Sequence, residues 1–224
     1  MSTPEPRPPR TTPNLGLVVP GDENWADYVT FTGAICDRLD ELAAQISQVG
    51  MTRIADQRLS AAAGNINFPN IPQTYSHLRL ILNTRGAGAN SSVPWLDTWL
   101  RFNSDATASY DAMLAISGGT TIDTAQRMSE PWGRLGPVGG SQIDTTAWST
   151  ITCDIADYTS LKRKSYVAQG GSVQTSNIGA LAAFVMTGWW RSEPAINTIT
   201  LYISGDAGLT QFAPATRATL YALA

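Results

Sequence analysis

The stretch INFPNIPQTYSHLRLILNTRG, Ile66 to Gly86, decides the fold. Its second half alternates: Leu78, Leu80 and Leu82 fall on one face, with His77, Arg79 and Ile81 on the other. A period of two, rich in branched aliphatic residues, is the signature of a half-buried β-strand. Its first half contains Pro69 and Pro72. Proline cannot donate in a central ladder. These residues therefore predict an entry segment, extended along an edge, that delivers the chain into a strand starting near Tyr75. Phe68, Ile71 and Tyr75 are expected to pack as it arrives.

The same alternation recurs toward the C-terminus. TWLRFN points Leu100 and Phe102 inward, and STITCDI alternates Ile151, Cys153 and Ile155 with polar residues. NTITLYIS does so with Ile199, Leu201 and Ile203, and RATLYALA sets Leu220 and Ala222 against Tyr221 and Leu223. GALAAFVM is apolar on both faces, which predicts a central strand. The segments TRGAGANSSVP, ISGGTTIDT and GRLGPVGGSQ between them read as turn-rich loops. At least six strands joined by Gly/Ser/Asn turns, with no helix between them, predict a mainly β domain over 51–224. The expected architecture is an antiparallel β-sandwich of jelly-roll type.

Two further zones precede it. Residues 1–21 carry six prolines and little apolar content before Leu15. They predict an extended, PPII-like arm, with Pro13, Leu15, Leu17 and Val18 giving it something to bury against a partner. Residues 22–50 carry the one strong helical pattern, capped by Asp22 or Asn24 and stopped by Gly50. Ile35, Leu39, Leu42, Ile46 and Val49 fall at steps of four and three, a heptad seam. Leucine and isoleucine mixed at both seam positions fit a short trimeric coiled coil at least as well as a dimer. The same stripe fits a helix packed on its own domain.

Composition narrows the function. Of 224 residues only 15% are charged, the net charge is −3, and the only lysines are Lys162 and Lys164. No basic face for nucleic acid is written here. Lys162-Arg163-Lys164 reads as a solvated strand or turn. No apolar run approaches the length of a membrane span. Cys36 and Cys153, in a helical and a strand context, read as two buried free thiols, with a disulfide between them as the alternative. With His77 the single histidine, neither a zinc site nor a catalytic triad is expected, and no cofactor motif is present. Asp154 and Asp157 are close enough to suggest Ca²⁺, but turn capping is the better reading. The aspartates show no spacing that marks a glycosidase pair. The chemistry therefore points away from an enzyme.

Seven tryptophans are many for this length. Trp95, Trp99, Trp132, Trp189 and Trp190 are the candidates for ligand stacking or a subunit interface. Adjacent Trp189 and Trp190 must point to opposite faces of their strand, so at most one is core.

Four stretches, in order, carry a resemblance: FPNIPQTYSHLRLIL, LRFNSDATASY, CDIADYTSLKRKSY and GWWRSEPAINTITLYISGDAGLTQFAPATRATLYAL. Together they resemble a β domain of tailed-bacteriophage tail fibre and minor structural proteins, over roughly Ile66 to the C-terminus. TTPNLGLVVPGDENWADYVTF is similar to the virion-attaching opening of many phage fibre proteins. The closing LYALA departs from that family in lacking a glycine, and there is no long shaft. The resemblance implies a virion component: a homotrimeric fibre or spike, docked to other virion proteins by its N-terminus. Its β domain would meet a host-surface glycan or protein. The alternatives are a capsid decoration or head-fibre protein, a free carbohydrate-binding module and, disfavoured by the missing carboxylate pair, a glycan depolymerase.

Overall fold

The computed structural model describes residues 10–11, 18–19, 50–87, 95–118, 121–140, 146–173, 181–204 and 211–223. The chain divides into two compact units, Met1–Gly50 and Met51–Ala224. In the first, β1 (Arg10–Thr11) and β2 (Val18–Val19) pair antiparallel, with Arg10 opposite Val19. Pro13, Leu15 and Leu17, Cys36 and the predicted helix with Ile35, Leu39, Leu42, Ile46 and Val49 lie outside the described residues.

The second unit is antiparallel β throughout its described residues. In chain order its strands are β3 (Thr52–Arg58), β4 (Asn65–Phe68), β5 (His77–Thr84), β6 (Gly86–Ala87), β7 (Trp95–Phe102), β8 (Tyr110–Gly118) and β9 (Thr121–Glu130). There follow β10 (Gly133–Gly139), β11 (Ser149–Ile155), β12 (Lys164–Val173), β13 (Leu181–Trp190), β14 (Ile199–Ser204), β15 (Gln211–Phe212) and β16 (Arg217–Leu223). A large sheet has the order β3-β16-β5-β11-β12-β13-β8-β9, and a small sheet the order β10-β7-β14-β4. β6 and β15 form a separate two-stranded pair. The two main sheets face each other as a β-sandwich, β10 lying across β8, β11, β12 and β13.

The entry segment behaves as its prolines dictate. β4 is the outer strand of the small sheet, paired only with β14, and Pro69 follows it immediately. The chain then crosses to the large sheet and becomes β5 at His77. Phe68 and Ile71 are buried and Tyr75 packs against the core. The predicted inward faces are buried too: Leu78, Leu80 and Leu82; Leu100 and Phe102; Ile151, Cys153 and Ile155; Ile199, Leu201 and Ile203; Leu220 and Ala222. Each large aliphatic side chain so buried contributes about 1.5–3 kcal/mol of transfer free energy.

Four expectations need correction. GRLGPVG, read as a loop, is β10, with every residue buried. Its Pro137 is tolerated because β10 is an edge strand of the small sheet, paired only with β7. Its Gly136 has φ +135°, and a Cβ there would stand 2.2 Å from the Phe184 ring, so no other residue fits without displacement. ISGGTTIDT, also read as a loop, is the end of β8 and the start of β9. TRGAGANSSVP contains the short β6. Finally, β13 lies within the sheet as predicted, but for a different reason than double burial: Val185 is 52% exposed and only the face with Phe184 and Met186 is core. Gly188 on that buried face gives room to Tyr166, whose ring would lie 1.9 Å from an added Cβ.

Candidate functional site

The stretches that carry the family resemblance meet at one end of the sandwich, where they tie four connections into a polar crown. The turn after β7 contains Asn103 and Ser104, both at positive φ (52° and 57°). Asn103 is a residue type that tolerates this conformation. Its Nδ2 donates to the Ala195 carbonyl (2.8 Å), and its Oδ1 accepts from the Asn197 and Thr198 N–H groups (2.9 and 3.2 Å). Two residues on, the Asp105 carboxylate collects five donors. Thr107 gives its N–H and hydroxyl (2.9 and 2.6 Å), Ser109 its hydroxyl (2.7 Å), Trp190 its Nε1–H (2.7 Å) and Ser192 its hydroxyl (3.1 Å). Desolvation pushes the Asp105 carboxyl up. The donors from Thr107, Trp190 and Ser109 outweigh it and hold the group well below the usual carboxylate range.

The entry segment is pinned to the same end. The Ile71 N–H donates to the Asn197 carbonyl (2.9 Å), and Gln73 Nε2 donates to the carbonyls of Ile71 and Ile196 (both 2.9 Å). Tyr158 donates its hydroxyl to the Pro72 carbonyl, and its own carbonyl accepts from the Ile196 N–H (2.8 Å). His77 is exposed, and its Nδ1 accepts from the Asp157 N–H (3.2 Å). Asp157, at φ 50°, turns the chain, while Asp154 pairs with Arg79 through two bonds of 2.6 and 2.8 Å. Asp154 thus pairs through its carboxylate, whereas Asp157 contributes its backbone N–H. Among the described residues no three His, Cys, Asp or Glu side chains cluster as a metal site.

Lys164 was expected in solvent with its basic neighbours, and this expectation is overturned. Lys162 and Arg163 are exposed, but Lys164 is 1% exposed. Its Nζ donates to the carbonyls of Ser160 (2.7 Å), Glu193 (3.1 Å) and Pro194 (3.3 Å), and to that of Lys162. Burial pulls the ammonium pKa down, with Asp157 and Glu193 acting against it. A lysine used in this way is a cross-brace between two loops. Cys153 is a free, buried thiol whose pKa burial pushes up.

The tryptophans separate into three groups. Trp190 is core: it stands 5.4 Å from Phe102 edge-on and 6.3 Å from Tyr110 in a stack, beside the buried Tyr166. Its neighbour Trp189 points to the other face and is 47% exposed. There it joins Val185 on β13, and Thr187 between them is flanked by Met113 on β8 and Val167 on β12. All four apolar side chains are about half exposed, so the outer face of the large sheet carries an apolar patch.

The third group lies on the outer face of the small sheet. Trp99 on β7 is opposite Tyr202 on β14 and Arg134 on β10. Trp132, in the turn before β10, meets Trp99 at 5.4 Å between ring centroids, tilted by 60°. Arg101 lies 5.5 Å from the Trp132 ring centre and 5.2 Å from that of Tyr202. Trp99, Arg101, Trp132 and Tyr202 enclose a groove of about 170 Å³. The Nε1–H groups of both Trp99 and Trp132 are buried without a hydrogen-bond partner. Arg134 is neutralised by Asp97 (2.6 Å), whose carboxyl is pushed up by burial against the pull of Arg134. Trp95, 44% exposed, stands apart and borders a second recess of about 360 Å³ with Ile116, Asp123, Arg127 and Arg134.

The five candidate tryptophans are thus not one site: Trp99 and Trp132 come together, and Trp95, Trp189 and Trp190 do not join them. Arg101 and Tyr202, which complete the groove, went unnoticed in the sequence. The alternation of TWLRFN and NTITLYIS places them on the outward faces of neighbouring strands, but only the pairing of β7 with β14 brings them together. No protein-family model matches this chain, and no curated protein or solved structure does.

Proposed function

We propose that the chain is a structural protein of a bacteriophage particle, a homotrimeric fibre or spike that presents its β-sandwich for attachment to the host surface. The observation that carries this reading is the crown. Asn103 and Asp105, Asp157 and Lys164, and Asn197 come from three stretches of the resemblance, and they take part in one hydrogen-bonded unit. The strand order supports the jelly-roll reading. Taken as eight strands, the chain places the first, eighth, third and sixth (β4, β14, β7, β10) in the small sheet. The second, seventh, fourth and fifth fall in the large one, with the seventh enlarged to the β11–β13 meander. We read this order as that of a jelly roll, with β3 and β16 added at one edge.

In this reading residues 1–21, with Pro13, Leu15, Leu17 and Val18, anchor the chain to other virion proteins. The helix of residues 22–50 joins three copies along Ile35, Leu39, Leu42, Ile46 and Val49. The apolar patch around Trp189 gives a neighbouring copy something to pack on. The role is adhesive and structural, without catalysis or a cofactor. Light scattering on the full-length protein tests the trimer: a mass three times the 24.0 kDa of the chain is expected. Loss of the trimer in a protein starting at Met51 would place the contact in the helix. A full-length monomer would overturn the free-standing fibre. The aromatic groove favours a second reading, a carbohydrate-binding module acting as a single copy.

A further inference from the structure

The groove on the small sheet differs chemically from every other recess described. Its walls are the faces of Trp99, Trp132 and Tyr202, which offer flat apolar surface with polar edges. A pyranose ring has the matching character, with an apolar C–H face and a rim of hydroxyls. The indole N–H groups of two of these residues, Trp99 and Trp132, are buried with no acceptor among the described residues. Each such group costs about 1–3 kcal/mol unless something pairs with it, and a sugar hydroxyl or its water is a ready acceptor once the rings adjust.

Arg101 supplies the charge. Its Nε donates to the Pro131 carbonyl (3.0 Å), which fixes the guanidinium plane between Trp132 and Tyr202. Among the described residues no carboxylate forms an ion pair with it, whereas Arg79, Arg134, Arg191 and Arg217 each have one. Asp97, the acidic side chain on the same face of β7, is already matched by Arg134. The groove therefore carries one positive charge with no carboxylate partner among the described residues, and a planar guanidinium held this way suits a carboxylate.

We propose that this groove binds a carboxylated pyranose, one ring of an acidic glycan, with its apolar face on the aromatic rings and its carboxylate on Arg101. The assignment rests on the reading of the β-sandwich as a surface-attachment domain, and it names the class of surface molecule recognised.

The test is calorimetric titration of the full-length protein with the trisaccharides of galacturonate, glucuronate and mannuronate. Each is compared with its methyl ester, which keeps the ring and removes the charge. At least one acid is expected to bind, with its ester roughly tenfold weaker, the usual weight of a charge-assisted hydrogen bond. Trp132→Ala is expected to weaken binding by roughly tenfold or more, as loss of a stacking anchor does. If Trp132→Ala does not fold, Arg101→Gln carries the test through loss of the acid-over-ester preference. Absence of binding by all three acids, equal binding of acid and ester, or unchanged binding in the variants would overturn the proposal. The mass of the same sample separates the two readings. A trimer that binds none of the sugars keeps the fibre and removes the groove, and a monomer that binds an acid keeps the groove and removes the fibre.

Discussion

The crown and the aromatic groove are both polar–aromatic assemblies on the β-sandwich, yet they are built on opposite rules. In the crown the donors and acceptors close on one another: five donors meet Asp105, four carbonyls meet Lys164, and Asn103 uses its amide at both ends. In the groove, among the described residues, two indole donors have no acceptor and one guanidinium has no carboxylate. A satisfied buried network rigidifies the fold, whereas an unsatisfied one costs stability and is retained for another reason. The stretches of family resemblance supply the crown residues, and Trp99 and Trp132 lie outside them. The groove draws on both, because Arg101 and Tyr202 lie inside those stretches.

The comparison is sharpest at Lys164. Lys164→Met keeps the aliphatic stem and strips four carbonyls of their donor, and a loss of roughly 3 kcal/mol is expected. Urea unfolding at fixed protein concentration reads it, and a loss below about 1 kcal/mol would show that the crown is not held together as described. Asn103→Ala should cost somewhat less, roughly 2–3 kcal/mol, from three lost hydrogen bonds and a positive φ that alanine tolerates poorly.

Asp105 adds a pH signature. Its carboxyl has a lower pKa folded than unfolded, so its contribution is fully present above the ordinary carboxylate value. That contribution is lost as pH falls below about 4 toward the folded value. Asp105→Asn should cost roughly 1–2 kcal/mol at pH 7. Thermal midpoints should show the gap between the two proteins narrowing from pH 5 to pH 3, and a constant gap would mean that the charge does not matter. The smallest effect belongs to the groove. Arg101→Gln should change stability by no more than about 0.5 kcal/mol, as expected of a surface side chain outside any closed network.

Much of the fold was legible because alternation is a local signal. Leu78, Leu80 and Leu82, or Ile199, Leu201 and Ile203, state which face is buried within a few residues. β10 was not legible, since Gly133, Gly136, Pro137 and Gly139 carry the marks of a turn, and only the Phe184 ring above Gly136 explains them. β9, TIDTAQRMSE, is exposed along nearly its whole length at the edge of the large sheet, so no core face marks it. The crown was hidden by distance along the chain: Gln73 reaches Ile196 and Asn103 reaches Ala195. Lys164 shows the same limit, because a lysine between two basic residues looks solvated until its four carbonyls are seen.

The central claim is that the crown carries stability and the groove does not. Far-UV circular dichroism melting of Asn103→Ala and Trp132→Phe beside the parent chain tests it most directly. The Trp132→Phe change removes a buried unpaired donor and keeps an aromatic wall. The account predicts a midpoint for Trp132→Phe equal to or above the parent, and one for Asn103→Ala lower by roughly 4–12 °C, from 2–4 °C per kcal/mol in a domain of this size. A Trp132→Phe midpoint as depressed as that of Asn103→Ala would contradict it, because the groove would then be part of the scaffold.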